Sequence, residues 1–266
     1  MIRHRSGIDY LAIKSLEDAG VVHAFVTRHQ GFSKGPYSSL NLGLRTSDDP
    51  EAVRKNEAAL RQAFGLSSMV RARQVHGRDV LVIHEPVKDE TRFLAQKADA
   101  LITDQPKVAL AVLTADCFPV ILADKSCASV AMVHVGRKGV CNRIIENAVQ
   151  MMLKKFRASP KEMLVGVGPG IGPCCYRVDG NIARDFRAAF PDEADQILYP
   201  ESDGLFSLDL FRAIEISLRR AGVREIERLE LCTSCRNDLF FSHRRDKGIT
   251  GRQINLVMIP ETGHSQ

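Results

Sequence analysis

Apolar positions along the chain follow two rhythms. Short continuous or alternating runs predict strands: VVHAFV (21–26), DVLVI (79–83), ADALIT (98–103), VALAVLT (108–114), FPVILAD (118–124), CASVAMVHV (127–135), MLVGVG (163–168), IERLEL (226–231) and QINLVMI (253–259). Several central runs do not alternate, which predicts strands covered on both faces. Helical periodicity appears three times. Asp49 and Pro50 open a helix whose Val53, Leu60 and Phe64 share a face and which Gly65 closes. Residues 143–156 place Ile144, Ala148, Met151 and Met152 on one stripe, and residues 208–222 run from a Ser207 N-cap to Gly222. Four strands in succession between 98 and 135, with short turns and no helix, argue against regular βαβ alternation. The expected class is α+β: one domain over residues 1–266, with a strand-rich core covered by helices.

One interruption of this pattern carries chemistry. In AVLTADCFPVILAD (111–124) an acid and a thiol, Asp116 and Cys117, separate two apolar runs. Pro119, which has no backbone donor, suits the exit of a turn better than the middle of a central strand. His76 precedes a strand in RQVHGRDVLVI, and His134 ends the run SVAMVHVG. One thiol and two imidazoles are a catalytic zinc set, with the fourth position left for water or substrate. The same atoms also suit a cysteine nucleophile, with His134 as base and Asp116 or another group orienting the ring. The second histidine distinguishes these, since a dyad needs one and a metal site needs both.

Composition narrows the setting. Apolar residues make up 44% and charged residues 26%, as in soluble globular proteins. No apolar run is long enough to span a bilayer, and no apolar h-region follows the N-terminal positive charges, so a cytoplasmic protein without a membrane association is expected. A net charge of +5, without tryptophan or a basic stripe with interleaved aromatics, suits a small anionic substrate better than nucleic acid. Seven cysteines are expected as thiols or ligands rather than a disulfide framework. Cys232 and Cys235 have C-x-x-C spacing, but the adjacent Cys174 and Cys175 do not supply the second such pair of a structural zinc site. In VGVGPGIGPCC, glycine amides offer an anion cradle; a tight turn packed near the metal site is the favoured alternative. Adjacent residues of a strand face opposite ways, so at most one of Cys174 and Cys175 is expected to approach the site.

The ordered blocks SSLNLGL (38–44), DDPEAVRKNEAAL (48–60), QVHG (74–77), ADALIT, AVLTADCFPVILAD, HVGRKG (134–139), GPGIGPCCYRVD (168–179), LDL (208–210), CT (232–233) and FFSHRRDKGITGRQINLVMI (240–259) resemble the YfiH-like family. Its members are labelled laccase-domain or multicopper polyphenol oxidoreductase proteins, and now often purine nucleoside phosphorylases. The resemblance implies a metal triad at His76, Cys117 and His134. It implies phosphorolysis of adenosine, inosine, guanosine and methylthioadenosine, and deamination of adenosine, with Zn2+ as cofactor and purine nucleosides and phosphate as partners. A monomer or small homo-oligomer is expected. Asn41, Arg54, Lys138, Arg244 and Arg245 fall in matching blocks as candidate substrate or phosphate contacts, and Asp116 as a candidate orienting residue beside a ligand. One departure stands out: Arg137 occupies the place of a large aromatic. The older label implies Cu2+ and phenol oxidation instead. Against it, one cysteine and two histidines make a mononuclear set, and His4, His23, His29, His84, His243 and His264 form no H-x-H pair.

Overall fold

The computed structural model describes residues 1–261, so His264 lies outside the described residues. In chain order the strands are Arg3–Arg5 (β1), Ile8–Leu11 (β2), Val22–Val26 (β3), Ser68–Val70 (β4), Val80–Ile83 (β5), Ala100–Thr103 (β6), Val108–Thr114 (β7) and Phe118–Asp124 (β8). They continue with Val130–Val135 (β9), Met163–Val167 (β10), Arg177–Val178 (β11), Leu198–Pro200 (β12), Phe206–Leu208 (β13), Glu225–Arg228 (β14) and Gln253–Met258 (β15). The helices are Lys14–Asp18 (α1), Pro50–Phe64 (α2), Arg137–Cys141 (α3), Ile144–Phe156 (α4), Gly180–Ala189 (α5) and Leu210–Arg220 (α6).

Two six-stranded sheets form the core, ordered β1-β2-β3-β15-β7-β4 and β14-β10-β8-β9-β6-β5; β11, β13 and β12 make a small third sheet. Most pairings are antiparallel, with parallel β4–β7, β5–β6 and β10–β14 pairs at the edges. The period-2 alternation explains the layering. On β7, Leu110 and Val112 join Ile121 of β8 and Met132 of β9 in the cluster between the sheets, while Ala109 and Ala111 pack with Leu60 and Phe64 of α2. On β9, Ala131 and Val133 face the other way, against Ile145 and Ala148 of α4 and Ile214 of α6. Four layers result, helix, sheet, sheet and helices, and the central strands are apolar on both faces because both faces are covered. The class is α+β, as the sequence pattern predicts.

Local departures have local causes. The strand expected at 127–135 starts at Val130, because Cys127 adopts a φ of 56° in a turn closed by its amide donating to Asp124 O at 2.7 Å. Ser207 is not the cap of α6: it lies in β13, its hydroxyl donates to Pro173 O, and the Asp209 carboxylate accepts from Arg212 N at 2.9 Å instead. Helix α5 is not among the helices expected from the sequence; Asp179 caps it by accepting from the Asn181 and Ile182 amides. Pro119 is the second residue of β8 rather than part of the turn, and its carbonyl accepts from Gly168 N.

Candidate active site and metal centre

The β7–β8 turn is held open by Asp116. Its φ of 92° lies in the left-handed region that a residue with a Cβ rarely adopts, so surrounding contacts must sustain it. They do: Asp116 Oδ1 accepts from Thr233 Oγ1 and Oδ2 from Arg244 N, both at 2.7 Å, while its carbonyl accepts from Ile171 N at 2.8 Å. Both carboxylate oxygens are thereby committed to tying two later loops to the turn. Cys117 follows at the mouth of β8. The β8–β9 register pairs Pro119 with His134, which brings that histidine alongside the turn.

His76 arrives from the loop after β4, also in the left-handed region (φ 57°). Gln74 holds this loop to β7 by exchanging hydrogen bonds with the Leu113 amide and carbonyl, both at 2.8 Å. The residue that joins the two histidines is Asp99, almost fully buried just before β6. Its Oδ1 accepts from His134 Nδ1 at 2.8 Å and from His76 N at 3.0 Å; its Oδ2 accepts from Val75 N and Gly77 N at 3.1 and 2.7 Å. Holding Nδ1–H in this way leaves Nε2 of His134 free for the site, the arrangement that metal-binding histidines commonly show. One ligand atom from each of His76, Cys117 and His134 then lies within 4.8 Å of the others. The imidazoles meet edge to face, their centroids 4.9 Å apart. A Cβ at Gly136 would stand 2.9 Å from Cys117 Sγ and 3.0 Å from His76 Cδ2, so only glycine leaves the cluster room.

Electrostatics favour the thiolate. Burial pushes the Cys117 thiol up, but the charge and hydrogen bond of His134, helped by His76, outweigh it and bring it down to about 6. Burial alone would lower His134; the Cys117 charge and the Asp99 hydrogen bond push it up to about 9. Burial would also raise Asp99, yet the His134 ring and the backbone amides hold it below the usual carboxylate range. A depressed thiol suits both a metal ligand and a nucleophile. The donor set, one soft thiolate and two imidazoles with one ring braced by a carboxylate, fits zinc.

The cluster forms part of the wall of a cavity of about 550 Å³. Arg45, Arg71, Arg73, Arg137, Arg244 and Arg252 line it, and Asp116 is the one acidic residue among its lining. Arg71 is buried; Nη2 donates to Glu57 at 2.9 Å, while Nε and Nη1 have no hydrogen-bond partner among the described residues. Leu113, Ile171 and Tyr176 add an apolar side. Burial, with the Cys117 charge, raises the Tyr176 phenol to about 12, so it stays a donor at neutral pH.

Of the other residues singled out by sequence, Arg244 and Asp116 line this cavity, and Asn41, Arg54, Lys138 and Arg245 do not. Asn41 is buried in a loop, donating to Thr46 and Asp48 and accepting from the Gly43 and Arg252 amides. Arg54 is exposed on α2 and pairs with Glu51. Lys138 is exposed on α3. Arg245 donates to the carbonyls of Thr233, Ser234 and Phe240 and to Asp246, which locks the loop behind the site. Asp99, Arg71, Arg73 and Arg252 were not singled out. Asp99 had a signal, an acid at the head of the apolar run ADALIT, and Arg252 lies in the matching block 240–259; Arg71 and Arg73 had none beyond charge.

A family model described as multi-copper polyphenol oxidoreductase laccase matches residues 22–260. A Geobacillus stearothermophilus protein named purine nucleoside phosphorylase YlmD is 36% identical over 247 residues, covering 90% of each chain. An Escherichia coli protein named purine nucleoside phosphorylase YfiH is 34% identical, covering 90% of this chain and 94% of its own. The crystal structure of YlmD from Geobacillus stearothermophilus superposes with a TM-score of 0.88 at 33% identity, over 97% of this chain and 98% of that one.

Proposed function

The chain belongs to the multi-copper polyphenol oxidoreductase laccase family, the YfiH-like proteins, and on that premise we propose that it is a zinc-dependent purine nucleoside phosphorylase that also deaminates adenosine. The observation that carries this reading is the union, in one cavity, of the His76–Cys117–His134 cluster with six arginines, one of which keeps two buried nitrogens unpaired. Guanidinium groups lining one cavity suit an anion such as phosphate, which they bind by charge-assisted hydrogen bonds.

In phosphorolysis, a phosphate oxygen bonds to C1′ of the nucleoside as the glycosidic bond to the purine breaks, giving ribose 1-phosphate and free base. Arg71 and its arginine neighbours bind and orient the phosphate, and Tyr176, Ile171 and Leu113 present a surface for the purine. In deamination, water adds at C6 and ammonia leaves. Zinc held by His76, Cys117 and His134 would supply Lewis-acid charge that makes bound water ionise near neutral pH. Asp99 keeps the His134 ring oriented throughout. Among the described residues, the groups of candidate ligands close enough to hold a metal are this cluster and an all-cysteine one, neither of which is the histidine-rich set of a multinuclear copper centre.

A second reading rests on one specific contact. Asp99, His134 and Cys117 align as acid, base and thiol, the order of a cysteine-hydrolase triad. One experiment separates the two. Protein of known metal content is incubated with adenosine, with and without phosphate, and the products are resolved. Phosphate-dependent adenine and ribose 1-phosphate are expected, together with inosine; neither product from zinc-loaded protein would defeat the proposal. His76→Ala is expected to lose metal and activity together, whereas full activity in that variant favours the triad.

A further inference from the structure

Four of the seven cysteines form a second group, assembled from two loops some sixty residues apart. Cys174 and Cys175 sit in a turn, closed by Cys175 N donating to Gly172 O at 3.0 Å, rather than in a strand. The opposite-facing rule for strand neighbours therefore does not apply, and both thiols point to the same partner. Cys235 Sγ lies 3.5 Å from Cys174 Sγ and 3.4 Å from Cys175 Sγ, and Cys232 completes a set whose four sulfurs all lie within 4.8 Å of one another. Although the adjacent Cys174 and Cys175 lack C-x-x-C spacing, this turn brings both of them to the Cys232 and Cys235 pair.

We propose that Cys174, Cys175, Cys232 and Cys235 bind a zinc ion in an all-thiolate tetrahedral site that clamps the 170–176 loop to the 232–236 loop. Geometry carries the proposal. Four sulfurs around zinc at about 2.3 Å stand about 3.8 Å apart, close to the separations seen, whereas a disulfide needs about 2.05 Å. The loops are already in register: Thr233 N donates to Gly170 O at 3.0 Å, and Gly172 N donates to Cys232 Sγ at 3.2 Å, as backbone amides do to metal-bound thiolates. A Cβ at Gly172 would meet Cys174 Sγ at 3.3 Å and Cys232 Cβ at 3.4 Å, so glycine keeps the thiols clear. All four ligands come from protein, the closed arrangement of a structural site. Binding releases the thiol protons to solvent, so affinity falls as pH falls.

The clamp has a place in the molecule. Ile171 and Tyr176 line the cavity from one loop, and Thr233 of the other holds the Asp116 carboxylate that shapes the Cys117 turn. A second ion would thus fix the wall of the first site without touching its reaction, and its existence does not depend on what the first site catalyses.

The test uses the full-length chain carrying Cys117→Ala, which removes the thiol of the other cluster. After chelation under reductant, the protein is titrated with Co2+. One equivalent is expected to bind with intense sulfur-to-cobalt charge-transfer absorption and tetrahedral d–d bands, and Zn2+ should displace it. Adding Cys235→Ser, a change at an exposed residue, should cut the charge-transfer intensity by about a quarter, and adding Cys174→Ser with Cys235→Ser should abolish it. If Cys117→Ala does not fold, the serine series in the wild-type background should lower the bound cobalt from two equivalents to one and leave only the weak charge-transfer band of the single Cys117 thiolate. Absence of these bands in reduced protein, or bands unchanged by both serine substitutions, overturns the proposal.

Discussion

Asp99 is the residue on which both histidines depend. It receives the His134 ring and the amides of Val75, His76 and Gly77, so one buried carboxylate sets both the tilt of one imidazole and the turn that carries the other. Asp99→Asn keeps the volume but removes the charge, and its amide nitrogen presents donors to amides that need acceptors. We expect metal affinity and activity to fall together, by about 10- to 100-fold, measured by competition with a chelator and by the nucleoside assay. Unchanged affinity would show that the histidines are positioned by something else. At this scale the sequence exposed His76, Cys117 and His134, because an isolated polar residue at the end of an apolar run has few structural reasons to be there. It concealed the division of labour among charged residues. Arg244, Arg245 and Arg252 look alike in sequence, yet Arg245 spends its guanidinium on loop carbonyls while Arg244 and Arg252 reach the cavity.

Between elements, the join of β3 to α1 shows how a polar residue can serve the fold alone. His23 on β3 is buried; the Ile13 amide donates to its Nε2 at 2.8 Å, and its Nδ1 donates to Val21 O at 3.0 Å. That pattern requires a neutral ring, and burial pulls the imidazole below its ordinary value of 6.5. A depressed folded-state pKa makes the neutral ring's contribution complete above 6.5, and it is lost as pH falls through the folded-state value. Denaturant unfolding at stepped pH should show wild-type stability declining below pH 6.5 more steeply than that of His23→Gln. Parallel declines would refute the assignment. Helix and strand identities were largely legible, since periods of 3.6 and 2 are local properties. Boundaries were not: Ser207 and Asp209 are both capping residue types, and the choice between them fell to the β13 pairing that drew Ser207 into a strand.

For the whole molecule, the apolar layer between the sheets is the shared structure. Leu110 of β7, fully buried, packs there with residues of both sheets. Leu110→Ala should cost about 2–5 kcal/mol by lost burial and the cavity left behind. Because both sheets own this layer, we propose that the chain unfolds as one domain, so chemical denaturation should shift as a single transition. Two separate transitions would show that the sheets fold independently.

The sequence by itself determined the class of the fold, nine of the strands (β3, β5 to β10, β14 and β15), the helices α2, α4 and α6, and the three residues of the central cluster, because each depends on the pattern of a short stretch or on a rare residue in an apolar run. The short strands β1, β2, β4, β11, β12 and β13 carry too few apolar positions to show. Tertiary structure alone decided that Asp99 braces the histidines, that Arg71 and not Arg54 faces the cavity, and that four cysteines from two loops converge. These are meetings between residues far apart in the chain. They are set by strand register and by turns such as Gly172–Cys175, whose hydrogen bonds leave no periodic mark in the sequence.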